Sequence, residues 1–268
     1  MRMLTPAILT CLIMLSGCGS SGNPQSASLS GNWQMTLQST ASSQNPPETQ
    51  SGFLIQSGKT LSGNVLLSGQ TISGQISCAG VGAAVGQATG SAVTMTVTPT
   101  GQTVNLTGTA ANSYTSMSGD YSILAAGCGQ TDFGTWSANL VHTLTGNFQA
   151  TFTSSGSLGI SHFSGSVTQG QNTGSSSAAL SGNMTSTDSP CFTGISIAGA
   201  VSGTAVVLNL LTSDGVALGK YSGTMTTDAS SISGSYRFSN ATDPTPLGAC
   251  AGDGGSAAIS VQVSAGTT

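Results

Sequence analysis

The chain has 268 residues, and charged side chains make up only 4% of them, with 4 Lys and Arg against 8 Asp and Glu for a formal net charge of −4. Soluble chains average about 25% charged residues. The absence of a basic patch excludes nucleic acid as a partner and also excludes charge-driven binding to anionic lipid. Because 37% of the residues are hydrophobic and recur with a regular period, we expect a folded chain with an uncharged polar surface.

Residues 1–17 have the organisation of an export signal. Arg2 supplies a positive charge, and the apolar run Leu4–Leu15 is too short for a bilayer span of about 20 residues. The run ends in Leu15-Ser16-Gly17-Cys18, which resembles the lipobox of bacterial lipoproteins. That resemblance implies cleavage before Cys18, lipidation (including palmitate) of this cysteine and an anchored position in the bacterial cell envelope. Because Gly19 rather than Asp follows the cysteine, the outer membrane is favoured over the inner.

Two stretches of the remaining chain are nearly the same. Leu29–Leu37 reads Leu-Ser-Gly-Asn-Trp-Gln-Met-Thr-Leu, and Leu144–Phe152 reads Leu-Thr-Gly-Asn-Phe-Gln-Ala-Thr-Phe. Each copy opens a segment of similar length that contains one pair of cysteines. The repeat therefore predicts a lipidated cysteine and flexible tether at 18–28, a first unit at 29–142 and a second at 143–268.

Both units have the period-two alternation of half-buried strands. In the first, Trp33, Met35 and Leu37 alternate with polar residues, and turn signals recur every 8–12 residues. We therefore predict an all-β protein of two tandem antiparallel β-meander units with about 7–8 strands each, and each unit is either an up-and-down barrel or a sandwich. Ser39–Ser51, which contains Asn45-Pro46-Pro47-Glu48, is predicted to be a loop.

The second unit repeats the plan of the first. Gly199–Asn209 matches Gly86–Thr96, and His162–Val167 is matched to the strand that starts near Thr60. The joint, Leu140–Leu144, has no Pro, Gly or Ser. We expect either two rigidly abutting barrels or one sheet shared by both halves.

The recurrent pattern Leu/Ile/Met-Ser/Thr-Gly-x-aromatic resembles that of avidin- and lipocalin-like up-and-down barrels. The resemblance implies a fold and no ligand. The interior tryptophans with which avidin-type barrels hold their ligand are missing, since the chain has only Trp33 and Trp136.

Four cysteines remain after Cys11 leaves with the leader and Cys18 takes lipid. An exported compartment permits disulfides. The repeat selects one pair in each unit, because each unit can then close alone. The alternative, a zinc site, is disfavoured because the chain has no Cys-x-x-Cys and its two histidines are not placed to help. The predicted pairs are Cys78–Cys128 and Cys191–Cys250.

Candidate chemistry is sparse. The two histidines, His142 and His162, lie in no Gly-x-Ser-x-Gly motif, and we expect both at strand ends or on the surface. An acid follows the second cysteine of each unit, Asp132 in one and Asp253 in the other. This feature predicts either a paired loop site or, the reading we favour, a turn in which Asp bonds its own backbone. A carboxylate pair for glycoside hydrolysis, assembled in space, stays open.

The sequence assigns no catalytic, cofactor-binding or metal-binding residue. The favoured hypothesis is a non-catalytic binding or scaffolding protein, held to the membrane by its N-terminal lipid, whose partner is a small ligand, a polysaccharide or an envelope protein. The alternative is a structural or adhesive surface protein whose hydroxyl-rich strand faces contact polysaccharide or another protein. A third hypothesis, a glycan-active enzyme, has few titratable residues to work with.

Overall fold

The computed structural model describes residues 28–40, 47–68, 79–125, 131–240 and 247–263. The lipobox with Cys18 and the cysteines Cys78 and Cys128 lie outside these residues. A short 3₁₀ helix, Gly248–Cys250, is present, and all other regular structure in the described ranges is β. The first eight strands are β1 (Gly31–Ser39), β2 (Glu48–Ser57), β3 (Thr60–Leu67), β4 (Gly80–Thr89), β5 (Ala92–Thr98), β6 (Gln102–Ala110), β7 (Ser116–Ala125) and β8 (Asp132–Val141). The next eight are β9 (Gly146–Ser154), β10 (Ile160–Gln169), β11 (Ala178–Thr185), β12 (Gly194–Ser202), β13 (Ala205–Leu211), β14 (Ala217–Met225), β15 (Ser231–Phe238) and β16 (Gly254–Val263).

The strands form two closed barrels, each an antiparallel meander of eight. Barrel 1 runs from β1 to β8 and closes because β1 pairs with both β2 and β8. Barrel 2 runs from β9 to β16 and closes through β9 and β16. The prediction of tandem β-meander units is confirmed. The sandwich and the shared sheet, the other arrangements left open, are wrong.

Strand alternation fills each barrel with its own side chains. In β1, Trp33, Met35 and Leu37 point inward and are at most 1% exposed. Phe148, Ala150 and Phe152 take the same places in β9 and are also buried. One apolar cluster fills barrel 1 and a second fills barrel 2, as expected when period-two strands close on themselves. The second cluster extends to Phe53 and Val141 of barrel 1.

A repeated leucine closes one end of each barrel. Leu29 and Leu144 precede β1 and β9, and both are fully buried. The backbone N–H of Leu29 donates to Oε1 of Gln56 at 2.8 Å, and that of Leu144 donates to Oε1 of Gln169 at 2.9 Å. The opening residues of the repeat are therefore core residues that end the barrel.

Glycines face each other where neighbouring strands approach closely. Gly119 pairs with Gly108 in barrel 1, and Gly234 pairs with Gly223 in barrel 2. A Cβ on Gly119 would lie 2.4 Å from the Cα of Gly108, and one on Gly234 would lie 2.5 Å from the Cα of Gly223. These positions exclude every other residue type, because the obstruction is backbone.

Two details of the sequence interpretation are wrong. The predicted loop Ser39–Ser51 is too long, since β2 already begins at Glu48. The match of His162–Val167 to the strand near Thr60 is also wrong, because β10 is the second strand of its barrel and corresponds to β2. The match of Gly199–Asn209 to Gly86–Thr96 is confirmed, since both segments span the fourth and fifth strands of their barrels.

The two barrels dock through buried polar contacts. Asn32 of barrel 1 makes two hydrogen bonds to the backbone of Gly203 in barrel 2. Its Nδ2 donates to the carbonyl at 2.9 Å, and its Oδ1 accepts from the N–H at 2.7 Å. The hydroxyls of Ser51 and Ser202 lie 2.8 Å apart nearby. A Cβ on Gly203, whose φ is +53°, would lie 2.2 Å from Oε1 of Gln34. The fit agrees with the expectation of two rigidly abutting barrels.

One predicted disulfide lies within the described residues and is confirmed. Cys191, between β11 and β12, is bonded to Cys250 in the 3₁₀ helix, with a Cα–Cα distance of 5.5 Å. Both cysteines are buried. Throughout the portion of the chain that the structure describes, no helix has both the length and the apolar character required to cross a bilayer.

Candidate functional site

The interior of barrel 2 has no room for a ligand. Its cavity measures about 20 Å³ and is lined by apolar side chains together with Tyr221. The Tyr221 side chain is fully buried, its hydroxyl has no hydrogen-bond partner among the residues that the structure describes, and burial raises its pKa to about 12. A site for a small molecule normally measures about 300–1,000 Å³, so this cavity does not qualify.

A cleft large enough for a ligand lies between the barrels. This inter-barrel cleft has a volume of about 650 Å³ and follows the joint where β8 ends and β9 begins. Its lining combines hydroxyls, amides, one imidazole and an apolar wall. The polar members are Ser30, Asn32, His142, Thr143, Thr145, Gln169, Gln171 and Asn172, and the apolar ones are Phe53, Leu140 and Val141.

Backbone hydrogen bonds hold Asn172 in the lining of the cleft. Asn172 donates from Nδ2 to the carbonyl of Leu54 at 3.0 Å and accepts the N–H of Gly174 at Oδ1 at 2.9 Å. Gln171 and His142 are exposed on the rim of the cleft. No Asp, Glu, Lys or Arg is among the lining residues. The cleft therefore offers neutral donors and acceptors beside an apolar surface.

Each barrel carries the same set of three hydrogen-bonded side chains at the other end of its strands. In barrel 1, the carboxylate of Asp132 accepts from Ser39 at 2.7 Å and from the hydroxyl of Tyr121 at 2.7 Å. In barrel 2, Asp253 accepts from Ser154 at 2.6 Å and from the hydroxyl of Tyr236 at 2.8 Å. Burial and the carboxylate bond raise the pKa of both tyrosines.

The favoured prediction for Asp132 and Asp253 is wrong. The carboxylates of Asp132 and Asp253 bind hydroxyls on other strands, whereas we predicted a turn in which each would bind its own backbone. Because the set occurs in both barrels, its first role is to tie the end of each barrel together.

Barrel 1 adds two polar side chains to this end. Glu48 pairs with Leu37 and Gln50 pairs with Met35, so both point into the barrel, as Leu37 and Met35 do. Nε2 of Gln50 donates to Oε1 of Glu48 at 3.4 Å. The pKa of Glu48 is raised above its ordinary value, chiefly by burial. The hydrogen bond from Gln50 partly offsets this rise, and the negative charge of Asp132 adds to it. We call Glu48, Gln50 and Asp132 the acidic mouth.

Barrel 2 fills the corresponding positions differently. Ser161 pairs with Phe152, and Phe163 pairs with Ala150, which places them where Glu48 and Gln50 stand in barrel 1. Phe163 packs on Phe152, with ring centroids 4.9 Å apart. The end of barrel 2 is thus closed by aromatic rings, and the acidic mouth is specific to barrel 1.

Both histidines are exposed, in agreement with the prediction. Nδ1 of His162 lies 2.7 Å from Oδ2 of Asp188 on the surface. Hydrogen bonds with the His162 side chain, with its backbone and with Ser186 lower the pKa of Asp188 to about 2. Ser186 donates to Asp188 rather than to His162, so the three do not form a nucleophilic triad. His142 lies at the cleft, away from this pair.

No group of three or more His, Cys, Asp or Glu side chains able to hold a metal is found among the residues that the structure describes. The sequence interpretation did not identify either the inter-barrel cleft or the acidic mouth. One signal for the mouth was present, because Glu48 is the single glutamate of the chain.

Comparisons with known proteins identify no family. No family model matches the chain, and no curated protein matches it. One solved structure, the crystal structure of the Myxococcus xanthus hemagglutinin in complex with α3,α6-mannopentaose, aligns with 85% of this chain and 99% of its own at 14% sequence identity. The TM-score of 0.23 is too low to relate the two folds.

Proposed function

We propose that the protein is a non-catalytic adhesive or structural protein of the cell envelope that binds an uncharged polysaccharide in the inter-barrel cleft. The observation that carries this proposal is the composition of the cleft. It has ligand-sized volume, neutral amides and hydroxyls along its rim, an apolar wall and no charged carboxylate or ammonium group. A neutral sugar chain presents the matching chemistry, with hydroxyls that donate and accept hydrogen bonds and C–H faces that pack on apolar side chains.

The barrel interiors argue against storage of a small ligand. Barrel 2 retains a cavity of only about 20 Å³, and the inward side chains of barrel 1 form one buried apolar cluster. The favoured sequence hypothesis of a general binding or scaffolding protein is therefore narrowed to binding on the outside of the barrels.

Catalysis on glycans has less support. Glu48 and Asp132 do share one end of barrel 1, where Asp132 accepts hydroxyl hydrogen bonds from Ser39 and Tyr121. The ligand-sized cleft lies at the other end of β8 from Asp132. We therefore assign binding, not hydrolysis, to the cleft.

Affinity electrophoresis of the full mature chain through gels that contain mannan, dextran or xylan tests the proposal. One of these neutral polysaccharides should retard the protein. Gln171→Ala and His142→Ala should each weaken the retardation by about three- to tenfold, the loss expected for one net hydrogen bond.

Two matched substitutions serve as controls. Gln149→Ala removes an exposed glutamine of β9, and His162→Ala removes the other histidine; neither residue lines the cleft. Both should leave the retardation unchanged. Equal loss in the control and cleft variants, or no retardation by any of the neutral polysaccharides, would contradict the assignment.

The envelope location and the lipid anchor on Cys18 are part of the proposal, supported by the lipobox-like sequence. Metabolic labelling with palmitate should mark the wild-type chain and not Cys18→Ser. Labelling of that variant to the same extent would exclude Cys18 as the lipid site.

A further inference from the structure

The acidic mouth of barrel 1 contains a buried oxygen without a hydrogen-bond partner among the described residues. This atom is Oε1 of Gln50, a residue that is 1% exposed. A buried polar atom without a partner costs about 1–3 kcal/mol, so such atoms are rare unless a water molecule or a ligand completes them. The amide lies beside Glu48, since Nε2 of the same side chain donates to the Glu48 carboxylate.

Nothing in the described part of the chain neutralises the negative charge of this mouth. Lys59 lies in the turn after β2, at the opposite end of that strand from Glu48. Lys220 and Arg237 belong to barrel 2. The hydroxyls of Ser39 and Tyr121 are already engaged with Asp132 and carry no charge. A half-buried carboxylate with a second carboxylate close by would be stabilised by a positive partner from outside.

The available atoms are all hard oxygen donors. Glu48 and Asp132 supply carboxylates, and Gln50, whose Nε2 contacts Glu48, supplies a buried amide carbonyl at the same end of the barrel. Calcium takes six to eight such ligands, accepts carboxylate and amide oxygens together, and completes its shell with water. Magnesium fits less well, because it demands a strict octahedral shell and gives up its water reluctantly.

Comparison of the two barrels distinguishes this site from the structural hydrogen bonds around it. Both barrels have the Ser–Asp–Tyr set, but barrel 2 has Ser161 and Phe163 where barrel 1 has Glu48 and Gln50. The Ser–Asp–Tyr set is therefore structural in both barrels. The two side chains that only barrel 1 adds, Glu48 and Gln50, require a different explanation. We propose that the mouth of barrel 1 binds one calcium ion through the carboxylates of Glu48 and Asp132 and the amide oxygen of Gln50.

Calcium binding to the full mature chain can be measured by isothermal titration, and terbium luminescence gives a second readout because Tyr121 is bonded to Asp132 and can sensitise a nearby ion. We expect one ion per chain with a dissociation constant of about 10⁻⁴–10⁻³ M, the range of extracellular calcium modules. Calcium should also raise the midpoint of thermal unfolding, because an ion that binds the folded state stabilises it.

The variants are chosen so that folding and binding can be told apart. Glu48→Gln preserves shape and removes one charge, and Gln50→Leu removes the unsatisfied oxygen. Each should weaken calcium binding by about tenfold or more, with an unchanged circular dichroism spectrum. The matched control, Asp253→Asn in barrel 2, alters the counterpart of Asp132 and should bind calcium like the wild type.

Three results would overturn the proposal. The first is no calcium or terbium binding below about 10⁻² M, well outside the range of protein calcium sites. The second is wild-type affinity in both Glu48→Gln and Gln50→Leu. The third is loss of binding in Asp253→Asn with retention in Glu48→Gln, which would place the ion in barrel 2.

Discussion

Three buried tyrosines provide a matched test of how hydrogen bonds contribute to these barrels. Tyr121, Tyr221 and Tyr236 are all at most 6% exposed. The hydroxyls of Tyr121 and Tyr236 donate to carboxylates at 2.7 and 2.8 Å, whereas that of Tyr221 has no partner in the described part of the chain. The same substitution, Tyr→Phe, should therefore have opposite effects at these sites.

The expected magnitudes follow from these contacts. A hydrogen bond to a charged group contributes about 1.5–3 kcal/mol, so Tyr236→Phe should lower the free energy of unfolding by about that amount. Tyr221→Phe removes a hydroxyl that is desolvated without compensation among apolar side chains, and it should raise the free energy of unfolding by about 1 kcal/mol.

Urea denaturation followed by circular dichroism measures both changes. A shift of the midpoint with an unchanged slope identifies a change in stability rather than in compactness. Both tryptophans, Trp33 and Trp136, belong to barrel 1, so tryptophan fluorescence reports on that barrel separately. If Tyr221→Phe lowered stability as much as Tyr236→Phe does, a buried partner for the Tyr221 hydroxyl would exist and the reasoning would be refuted.

Three further predictions concern docking, the disulfide and pH. Asn32→Ala should lower the free energy of unfolding by about 2–4 kcal/mol, because two buried main-chain groups of Gly203 lose their partners. Asn147→Ala, at the exposed counterpart position in the repeat, should change it by less than about 0.5 kcal/mol. Equal effects of the two substitutions in the same urea assay would contradict the docking role. Cys191→Ser should cost about 4 kcal/mol, the chain-entropy value for a cross-link that spans 59 residues, and an unchanged midpoint under non-reducing conditions would argue against the bond. Burial raises the pKa of Tyr221 from 10.0 to about 12, so between pH 10 and pH 12 the unfolded chain releases this proton while the folded chain keeps it, and the free energy of unfolding falls. This fall should be smaller in Tyr221→Phe than in the wild type.

The strands and the duplication could be predicted because their signals are local. Inward positions such as Trp33, Met35 and Leu37 alternate with polar residues, and that period depends on no distant contact. The copy at Phe148 repeats the same alternation, so the number of units follows from the sequence. One disulfide, Cys191–Cys250, followed from the same duplication.

The beginning of β2 could not be read in this way. The two prolines before Glu48 gave a strong turn signal, and the inward positions Glu48 and Gln50 are polar at the end of the barrel. An apolar alternation is therefore absent where the strand begins. The acidic mouth was missed together with the strand that holds two of its three members.

The contacts between the barrels could not be predicted from the sequence. Asn32 and Gly203 lie in different units, and each has an ordinary local role, one in a strand and one in a turn. Their contact depends on how two finished barrels pack, which no pattern within either segment specifies. The inter-barrel cleft, which this packing creates, was unpredictable for the same reason.

We propose that a neutral polysaccharide binds between the barrels. Hydrogen–deuterium exchange of the full mature chain, with and without a soluble oligosaccharide of the polysaccharide that retards it, can locate the bound sugar. We predict slower exchange at the joint residues 140–145 and at residues 169–172, which together line the cleft, and unchanged exchange in β5 and β6. Protection confined to the outer faces of β5 and β6, with none at the joint, would contradict the account.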